Sequence, residues 1–286
     1  MSVAVLERAG DLLARYDVLI SDVWGVVHDG LWALEPACEA LTAFREGGGA
    51  VVLLSNAPGP SQQVAELLDA KRVPRRAWDR LVTSGDVTRA LIAQSHHGDA
   101  YHIGRPSDRE VFAGLNVALV DEERAEIVVA TELNDYRTET PEQYRPLLTR
   151  FARRGLPFIC GNPDLVVHVG EDLLPCAGAL AAIYEELGGA VAWAGKPYRP
   201  AYDLALAAAA EVRGGRPAEA ARVLVIGDAV RTDLAGARLM GFDSLFVAGG
   251  IHRDETMRGG KVDPAGLRRV LDGLPVQPVA AMAALA

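Results

Sequence analysis

The 286-residue sequence lacks an excess of positive charge, paired cysteines and long apolar runs, and each of these absences excludes a class of protein. Its formal net charge of −9 provides no basic surface for a nucleic-acid backbone or an anionic membrane, so we expect neither as a partner. No apolar run approaches the roughly 20 residues that span a bilayer. Acidic Glu7 and Asp11 stand where a secretory signal would have a basic segment followed by an apolar one.

The three cysteines are widely spaced, and no histidines accompany them at zinc-binding intervals. We therefore expect Cys38, Cys160 and Cys176 to be small buried apolar side chains in a reducing compartment. These absences together favour a cytoplasmic enzyme or ligand-binding protein. An acidic protein that binds a phosphate ester also needs a metal ion or a cradle of backbone N–H groups.

The sequence does contain a series of short, continuously apolar runs, each followed by a segment with helical periodicity. The main runs lie at 18–22, 50–56, 126–132, 157–162 and 222–228, and the helical segments at 61–72, 141–154, 175–187 and 200–212. Continuous hydrophobicity predicts strands that are buried on both faces of a parallel sheet covered by helices. The predicted class is therefore α/β, and the length suits two domains.

Polar side chains follow several of these predicted strands directly. Asp22, the pair Ser55-Asn56, and Asp228 each stand at the end of an apolar run. Ligands of an open parallel sheet bind beyond the carboxyl ends of its strands, so we expect these side chains to converge in one crevice. The first run is not followed by Gly-x-Gly-x-x-Gly, which sets aside a dinucleotide-dependent oxidoreductase.

Taken alone, an acidic residue after a strand such as Asp22 is usually a helix cap or a turn former, and other motifs are needed to favour a catalytic site. Gly25 allows a tight turn just after it, and Gly195-Lys196-Pro197 supplies one cation. Asp228 and Asp233 stand in one short segment after a buried strand, and carboxylates are the ligands that Mg²⁺ prefers in proteins. These elements indicate an anion or metal site.

In this order the motifs resemble the signature of haloacid-dehalogenase-like phosphatases, in the class IIA branch of NagD-type and pyridoxal phosphate phosphatases. The supporting residues are Asp22 with Gly30, Ser55-Asn56, Thr83-Ser84, Asn162-Pro163-Asp164, Cys176 to Leu180, Gly195-Lys196-Pro197, and Gly227-Asp228 through Asp233. The resemblance implies a Rossmann-like, doubly wound parallel sheet with an inserted α/β cap domain. It places the core at 1–87 and 191–286 and the cap at 88–190, a segment far too long for an ordinary loop.

The resemblance also implies a reaction, the hydrolysis of a small phosphorylated metabolite such as a sugar phosphate, nucleotide or phosphorylated cofactor. Asp22 would form an aspartyl-phosphate that water then cleaves. Mg²⁺ would be held by Asp22, the Trp24 carbonyl oxygen, Asp228 and Asp233. Ser55, Asn56 and Lys196 would contact the phosphoryl oxygens, Lys196 would orient Asp22, and Asp164 would contact the substrate from the cap. A cap-mediated homodimer is a further expectation from the resemblance.

Trp24 departs from the family pattern, which has at this position a second Asp that protonates the leaving group. An indole N–H donates a hydrogen bond but does not titrate in the required range. Three interpretations stay open. Another group supplies the proton, with His28, Asp29 or a cap residue as candidates; the substrate needs no acid; or the protein binds a phosphorylated ligand without efficient turnover.

The segment from Gly273 onward is apolar but too short to span a membrane. The sequence suggests either a frayed end or a strip that docks on a neighbouring subunit.

Overall fold

The computed structural model describes residues 3–169 and 172–286. The chain forms two compact units. The first unit contains Met1–Ser55, Ala65–Val82 and Lys196–Ala286, and the second contains Asn56–Val64 and Thr83–Gly195. The predicted domain boundaries at 88 and 190 stay a proposal.

The strands among the described residues are, in chain order, β1 (Ala4–Val5), β2 (Val18–Ser21), β3 (Ala50–Ser55), β4 (Arg80–Thr83), β5 (Asp99–Ile103), β6 (Ala118–Leu119), β7 (Ile127–Ala130), β8 (Phe158–Cys160), β9 (Val166–Val169), β10 (Asp172–Pro175), β11 (Val191–Trp193), β12 (Val223–Gly227), β13 (Asp243–Val247), β14 (Met257–Arg258), β15 (Lys261–Val262) and β16 (Ala280–Met282). The α-helices are α1 (Gly10–Leu13), α2 (Glu35–Glu46), α3 (Ser61–Ala70), α4 (Ser84–Ser95), α5 (Arg145–Arg153), α6 (Ala177–Glu186), α7 (Arg199–Val212), α8 (Ala235–Met240), α9 (Arg253–Thr256) and α10 (Pro264–Leu271).

The first unit is built on a seven-stranded sheet in the order β1, β16, β13, β12, β2, β3, β4. The pairings of β12 with β2 and of β2 with β3 are parallel. The apolar residues of these three central strands are at most 1% exposed, as expected for strands covered on both faces. A short antiparallel hairpin, β14 with β15, lies outside this sheet.

The second unit has a five-stranded sheet of its own in the order β11, β8, β7, β5, β6, with parallel pairings throughout. Its core includes Phe151, Phe158 and Tyr184, and the rings of the last two stack with centroids 4.9 Å apart. The hairpin of β9 with β10 is antiparallel. The predicted α/β class, with a Rossmann-like parallel sheet and a cap, is confirmed.

The predicted helix over 141–154 begins with a 3-10 turn at Pro141–Tyr144 and becomes α-helical only at Arg145. Pro146 then occupies the first turn of the α-helix, where its missing N–H leaves no intrahelical bond unmade. All three cysteines are free and buried, as expected. Among the described residues, no helix combines the length and the apolar character that a bilayer crossing requires.

Both expectations for the C-terminal tail are wrong. Ala280–Met282 form β16, which pairs in parallel with β13 on one side and with β1 on the other. Ala281 and Leu285 are fully buried, and the N–H of Ala9 donates to the carbonyl oxygen of Ala286. The tail is apolar because it completes the sheet of its own chain.

Candidate active site

The site begins at the carboxyl ends of two adjacent strands, β2 and β12. Ser21 pairs with Ile226 in the parallel register, and Asp22 and Asp228 follow these strands directly. The backbone N–H of Asp22 donates to the carbonyl oxygen of Ile226 at 2.8 Å. Both carboxylates therefore lie at the same edge of the sheet, where ligands of parallel sheets bind.

Asp233 and Lys196 complete the cluster. A π-helical turn at Val230–Leu234 brings Asp233 back to the strand end, where its Oδ2 accepts a hydrogen bond from the N–H of Ala229 at 3.1 Å. Lys196 Nζ lies 2.6 Å from Asp22 Oδ1 and 2.8 Å from Asp233 Oδ1. Lys196 and Asp233 are buried, so the ammonium group is held between two carboxylates away from water.

The charges of this cluster do not balance. Burial and the neighbouring carboxylates raise the pKa of both Asp228 and Asp233 above the ordinary value. Burial alone would lower the pKa of Lys196, but the carboxylates of Asp22 and Asp233 outweigh it and raise that pKa. Three carboxylates face one ammonium group, so two negative charges are left without compensation when all are ionised.

Two glycines let the backbone approach Asp228 closely. A Cβ at Gly25 or at Gly250 would lie 2.0 Å from Asp228 Oδ2, and Gly25 also has φ +79°. The N–H of Ile251 donates to the same oxygen at 2.8 Å. The carboxylate is therefore fixed between two backbone segments, and a side chain at either glycine would displace it.

The residues present fit a divalent cation. One oxygen from each of Asp22, Asp228 and Asp233 lies within 4.8 Å of the others, and the uncompensated charge matches that of Mg²⁺. The Trp24 carbonyl oxygen, the other predicted ligand, belongs to the loop between Asp22 and Gly25. These three carboxylates could hold such an ion.

The predicted phosphate contacts divide between the two units. Ser55 ends β3, the parallel neighbour of β2, and so lies at the same sheet edge as Asp22 within the first unit. Asn56 belongs to the second unit, where its Nδ2 donates to Asp164 Oδ1 at 3.1 Å. The structure thus joins the predicted cap residue Asp164 to Asn56 within one unit.

Comparison with known proteins identifies the family. A model of the haloacid dehalogenase-like hydrolases matches residues 19–118, and a related hydrolase model matches residues 193–274. The crystal structure of a haloacid dehalogenase-like hydrolase from Brucella suis 1330 is 44% identical, with a TM-score of 0.84 over 98% of this chain and 100% of that one. The chain belongs to the haloacid dehalogenase-like hydrolase family. The family and the hydrolase class predicted from the motifs are confirmed.

More distant relatives of this haloacid dehalogenase-like hydrolase have names that specify substrates. The 5'-nucleotidase YutF of Bacillus subtilis is 24% identical over 86% of this chain and 92% of its own length. An acid sugar phosphatase of Staphylococcus aureus is 24% identical over 88% of this chain and 94% of its own length.

The loop after Asp22 shows the contacts of both candidate acid substitutes in this hydrolase. His28 is buried, its Nδ1 accepts a hydrogen bond from the N–H of Gly30 at 2.8 Å, and burial together with nearby Lys71 lowers its pKa to about 4. Asp29 accepts the N–H groups of Trp32 and Leu31 at 2.8 Å each, which lowers its pKa. His28 is therefore neutral and Asp29 ionised near pH 7. These contacts do not favour either side chain as the proton donor, and that role stays a prediction.

Glu132 is a buried carboxyl group that our sequence interpretation missed. It follows β7 at the carboxyl edge of the second sheet and is 7% exposed. Among the described residues, its Oε1 has no hydrogen-bond partner. Burial raises its pKa from 4.5 to about 7. The only signal in the sequence is that the apolar run at 126–132 ends in a Thr-Glu pair. This pattern predicts that Glu132 ends a strand, but it does not predict that the carboxyl group is buried.

Glu132 predicts a specific dependence of stability on pH. In the unfolded chain the Glu132 carboxyl group loses its proton near pH 4.5, whereas in the folded protein it keeps the proton to about pH 7. The contribution of Glu132 to the free energy of unfolding is therefore fully present below pH 4.5 and is lost as the pH rises through about 7. The loss amounts to about 3 kcal/mol. We expect Glu132→Gln to be more stable relative to wild type at about pH 8.5 than at about pH 5 in urea unfolding. An equal difference at the two pH values would contradict the raised pKa.

Proposed function

We propose that this haloacid dehalogenase-like hydrolase is a Mg²⁺-dependent phosphomonoesterase that acts on a small phosphorylated metabolite. The observation that carries the proposal is the buried Lys196 ammonium group between Asp22 and Asp233, with Asp228 beside them. A protein that only binds its ligand has little use for a carboxylate oriented in this way. The relatives named as a 5'-nucleotidase and as an acid sugar phosphatase support a nucleotide or a sugar phosphate as substrate, and a phosphorylated cofactor stays part of the proposal from the motif resemblance alone.

Asp22 acts as the nucleophile in this proposal. Its Oδ1 accepts the N–H of Val23 at 2.7 Å and lies 2.6 Å from Lys196 Nζ, so we assign the attack to Oδ2. A bond forms between this oxygen and phosphorus while the bond from phosphorus to the leaving oxygen breaks. Water then cleaves the aspartyl-phosphate, releasing inorganic phosphate and restoring the carboxylate.

The other predicted residues bind the metal, the phosphoryl group and the substrate. Asp22, Asp228, Asp233 and the Trp24 carbonyl oxygen would hold Mg²⁺, which would offset the repulsion between an anionic nucleophile and an anionic ester. Ser55, Asn56 and Lys196 would contact the phosphoryl oxygens, and Asp164 would contact the leaving group. The uncompensated negative charge of the carboxylate cluster supports the metal assignment.

Metal removal tests the proposal. After chelation by EDTA, we expect phosphate release from p-nitrophenyl phosphate to fall by about 10²-fold, because the metal contributes several kcal/mol to charge stabilisation. Adding Mg²⁺ in excess of the chelator should restore release, and Na⁺ at equal ionic strength should not. Release that persists unchanged in EDTA would refute the metal-dependent mechanism.

Binding of a phosphorylated ligand without efficient turnover is the second candidate function. It is favoured by the loop contacts that keep His28 neutral and Asp29 ionised, because neither side chain then replaces the acid absent at Trp24. This candidate predicts Mg²⁺-dependent binding of phosphate esters with no release of phosphate above a control that lacks Asp22.

A further inference from the structure

Trp24 is a large aromatic side chain that is half exposed although it stands two residues from the proposed nucleophile. Half of its surface is accessible. Its backbone belongs to the site, because the adjacent Gly25 lies against Asp228. Ligand sites are lined mainly by apolar and aromatic side chains, so an accessible indole two residues from the proposed nucleophile is suited to contact a substrate.

The indole of Trp24 packs against other residues of its own loop, Gly30 and His28. A Cβ at Gly30 would lie 2.9 Å from the ring, so only glycine at this position lets the indole occupy its place. The His28 ring also packs against the indole, with the two ring centroids 5.5 Å apart. The carbonyl oxygen of His28 accepts the N–H of Gly25 at 2.8 Å, and its Nδ1 accepts the N–H of Gly30. The ring is therefore positioned before any ligand arrives, which reduces the ordering cost of a stacking contact.

A second exposed tryptophan in the same loop has a different environment. Trp32 is exposed to a similar degree, but the Arg72 guanidinium lies 5.1 Å from its ring centroid. A cation–π contact of this kind accounts for the position of Trp32 within the protein itself. Trp32 is thus a matched control for Trp24.

We propose that the Trp24 indole stacks on a planar aromatic leaving group, so that aryl phosphates are the preferred substrate class. This inference rests on the proposed phosphomonoesterase function. Two properties of Trp24 each favour aryl phosphates as substrates. The indole does not protonate a leaving group, and a phenolate departs without a proton far more readily than an alkoxide. The accessible indole surface in turn favours a flat π-system.

The experiment compares two phosphates whose leaving groups depart without a general acid and of which only one is aromatic. A difference between them therefore reports stacking and not the need for a proton. 2-Naphthyl phosphate has an aromatic leaving group, and acetyl phosphate has a small non-aromatic one. We expect Trp24→Leu to raise KM for 2-naphthyl phosphate by about 5- to 100-fold, in line with aromatic stacking on nucleobases. The ratio of kcat/KM for 2-naphthyl phosphate to kcat/KM for acetyl phosphate should fall by a similar factor in this variant, and Trp24→Phe should keep most of that ratio. Trp32→Leu should alter neither substrate.

A binding measurement distinguishes failure of this inference from failure of the proposed function. In Asp22→Asn protein with Mg²⁺, calorimetry gives the ratio of affinities for 2-naphthyl phosphate and inorganic phosphate. We expect Trp24→Leu in that background to lower this ratio by about 5- to 100-fold. Absence of turnover in wild type would refute the phosphomonoesterase but not the stacking contact. An unchanged ratio, or equal changes with both substrates in the kinetic assay, would overturn the stacking role.

Discussion

Asp22→Asn is expected to reduce phosphate release from p-nitrophenyl phosphate by about 10³-fold or more. An amide oxygen is a far weaker nucleophile than a carboxylate, and the substitution also removes one charge from the predicted Mg²⁺ site. Release of nitrophenolate, followed by absorbance with saturating Mg²⁺, measures the effect. The aryl ester is the right substrate, because its leaving group needs no proton and the missing acid at Trp24 does not limit the rate.

The variant should keep its fold, so that the loss reports chemistry. Asn has nearly the shape of Asp, and Lys196 retains its contact with Asp233 at 2.8 Å. One carboxylate fewer also reduces the repulsion that raises the pKa of Asp228 and Asp233. The urea midpoint of the variant should therefore not fall below that of wild type.

Asp203→Asn is the matched control, since it makes the same chemical change at an exposed carboxylate that pairs with Arg199 at 3.2 Å. It should leave the rate within about twofold of wild type, as surface pairs contribute little. An Asp22→Asn protein that still releases phosphate at a comparable rate would assign the nucleophile elsewhere.

Trp24→Asp is expected to raise kcat/KM for an alkyl phosphate such as glycerol 3-phosphate by about 10² to 10⁴-fold, the usual contribution of a general acid. The new carboxyl group would replace an indole that donates a hydrogen bond but does not titrate, and the backbone carbonyl proposed to bind Mg²⁺ would be retained. No such gain is expected for p-nitrophenyl phosphate, because that leaving group departs without a proton and would also lose the proposed stacking contact with the indole. Steady-state kinetics with both esters gives the comparison.

Trp24→Asn controls for the smaller size of the new side chain, since it opens the same space without a titratable group. It should leave the alkyl ester as slow as it is in wild type. If wild type already turns over the alkyl ester rapidly and Trp24→Asp adds nothing, another group in the protein supplies the proton. The present contacts of His28 and Asp29 do not favour either of these two side chains as that group.

Much of the site could be predicted because its residues stand where apolar runs end. Parallel strands share one carboxyl edge, so Asp22, Ser55 and Asp228 had to lie at the same edge once their strands were adjacent in one sheet. Lys196 had no such positional signal, and only its motif suggested a role. Its burial between two carboxylates depends on a turn at Val230–Leu234 that apolar periodicity does not predict.

The sequence does not predict which titratable side chains are protonated in the folded protein. His28 and Asp29 are adjacent, and the sequence offers both as candidates to supply a proton. His28 is buried and its lowered pKa keeps it neutral, whereas Asp29 is exposed and accepts two N–H groups. The sequence predicts only that Glu132 ends a strand. Its raised pKa follows from its burial in the second unit.

The sequence by itself determined the α/β class, the family and the order of the acidic motifs, because local hydrophobicity and short motifs depend on residues close together in the chain. The tertiary structure decided how distant segments are paired and which charged groups are buried. In the folded protein the apolar tail forms β16 of the sheet of the first unit. Lys196 lies between Asp22 and Asp233. The physical reason is that pairing and desolvation are set by neighbours remote in the chain, which a local pattern does not encode.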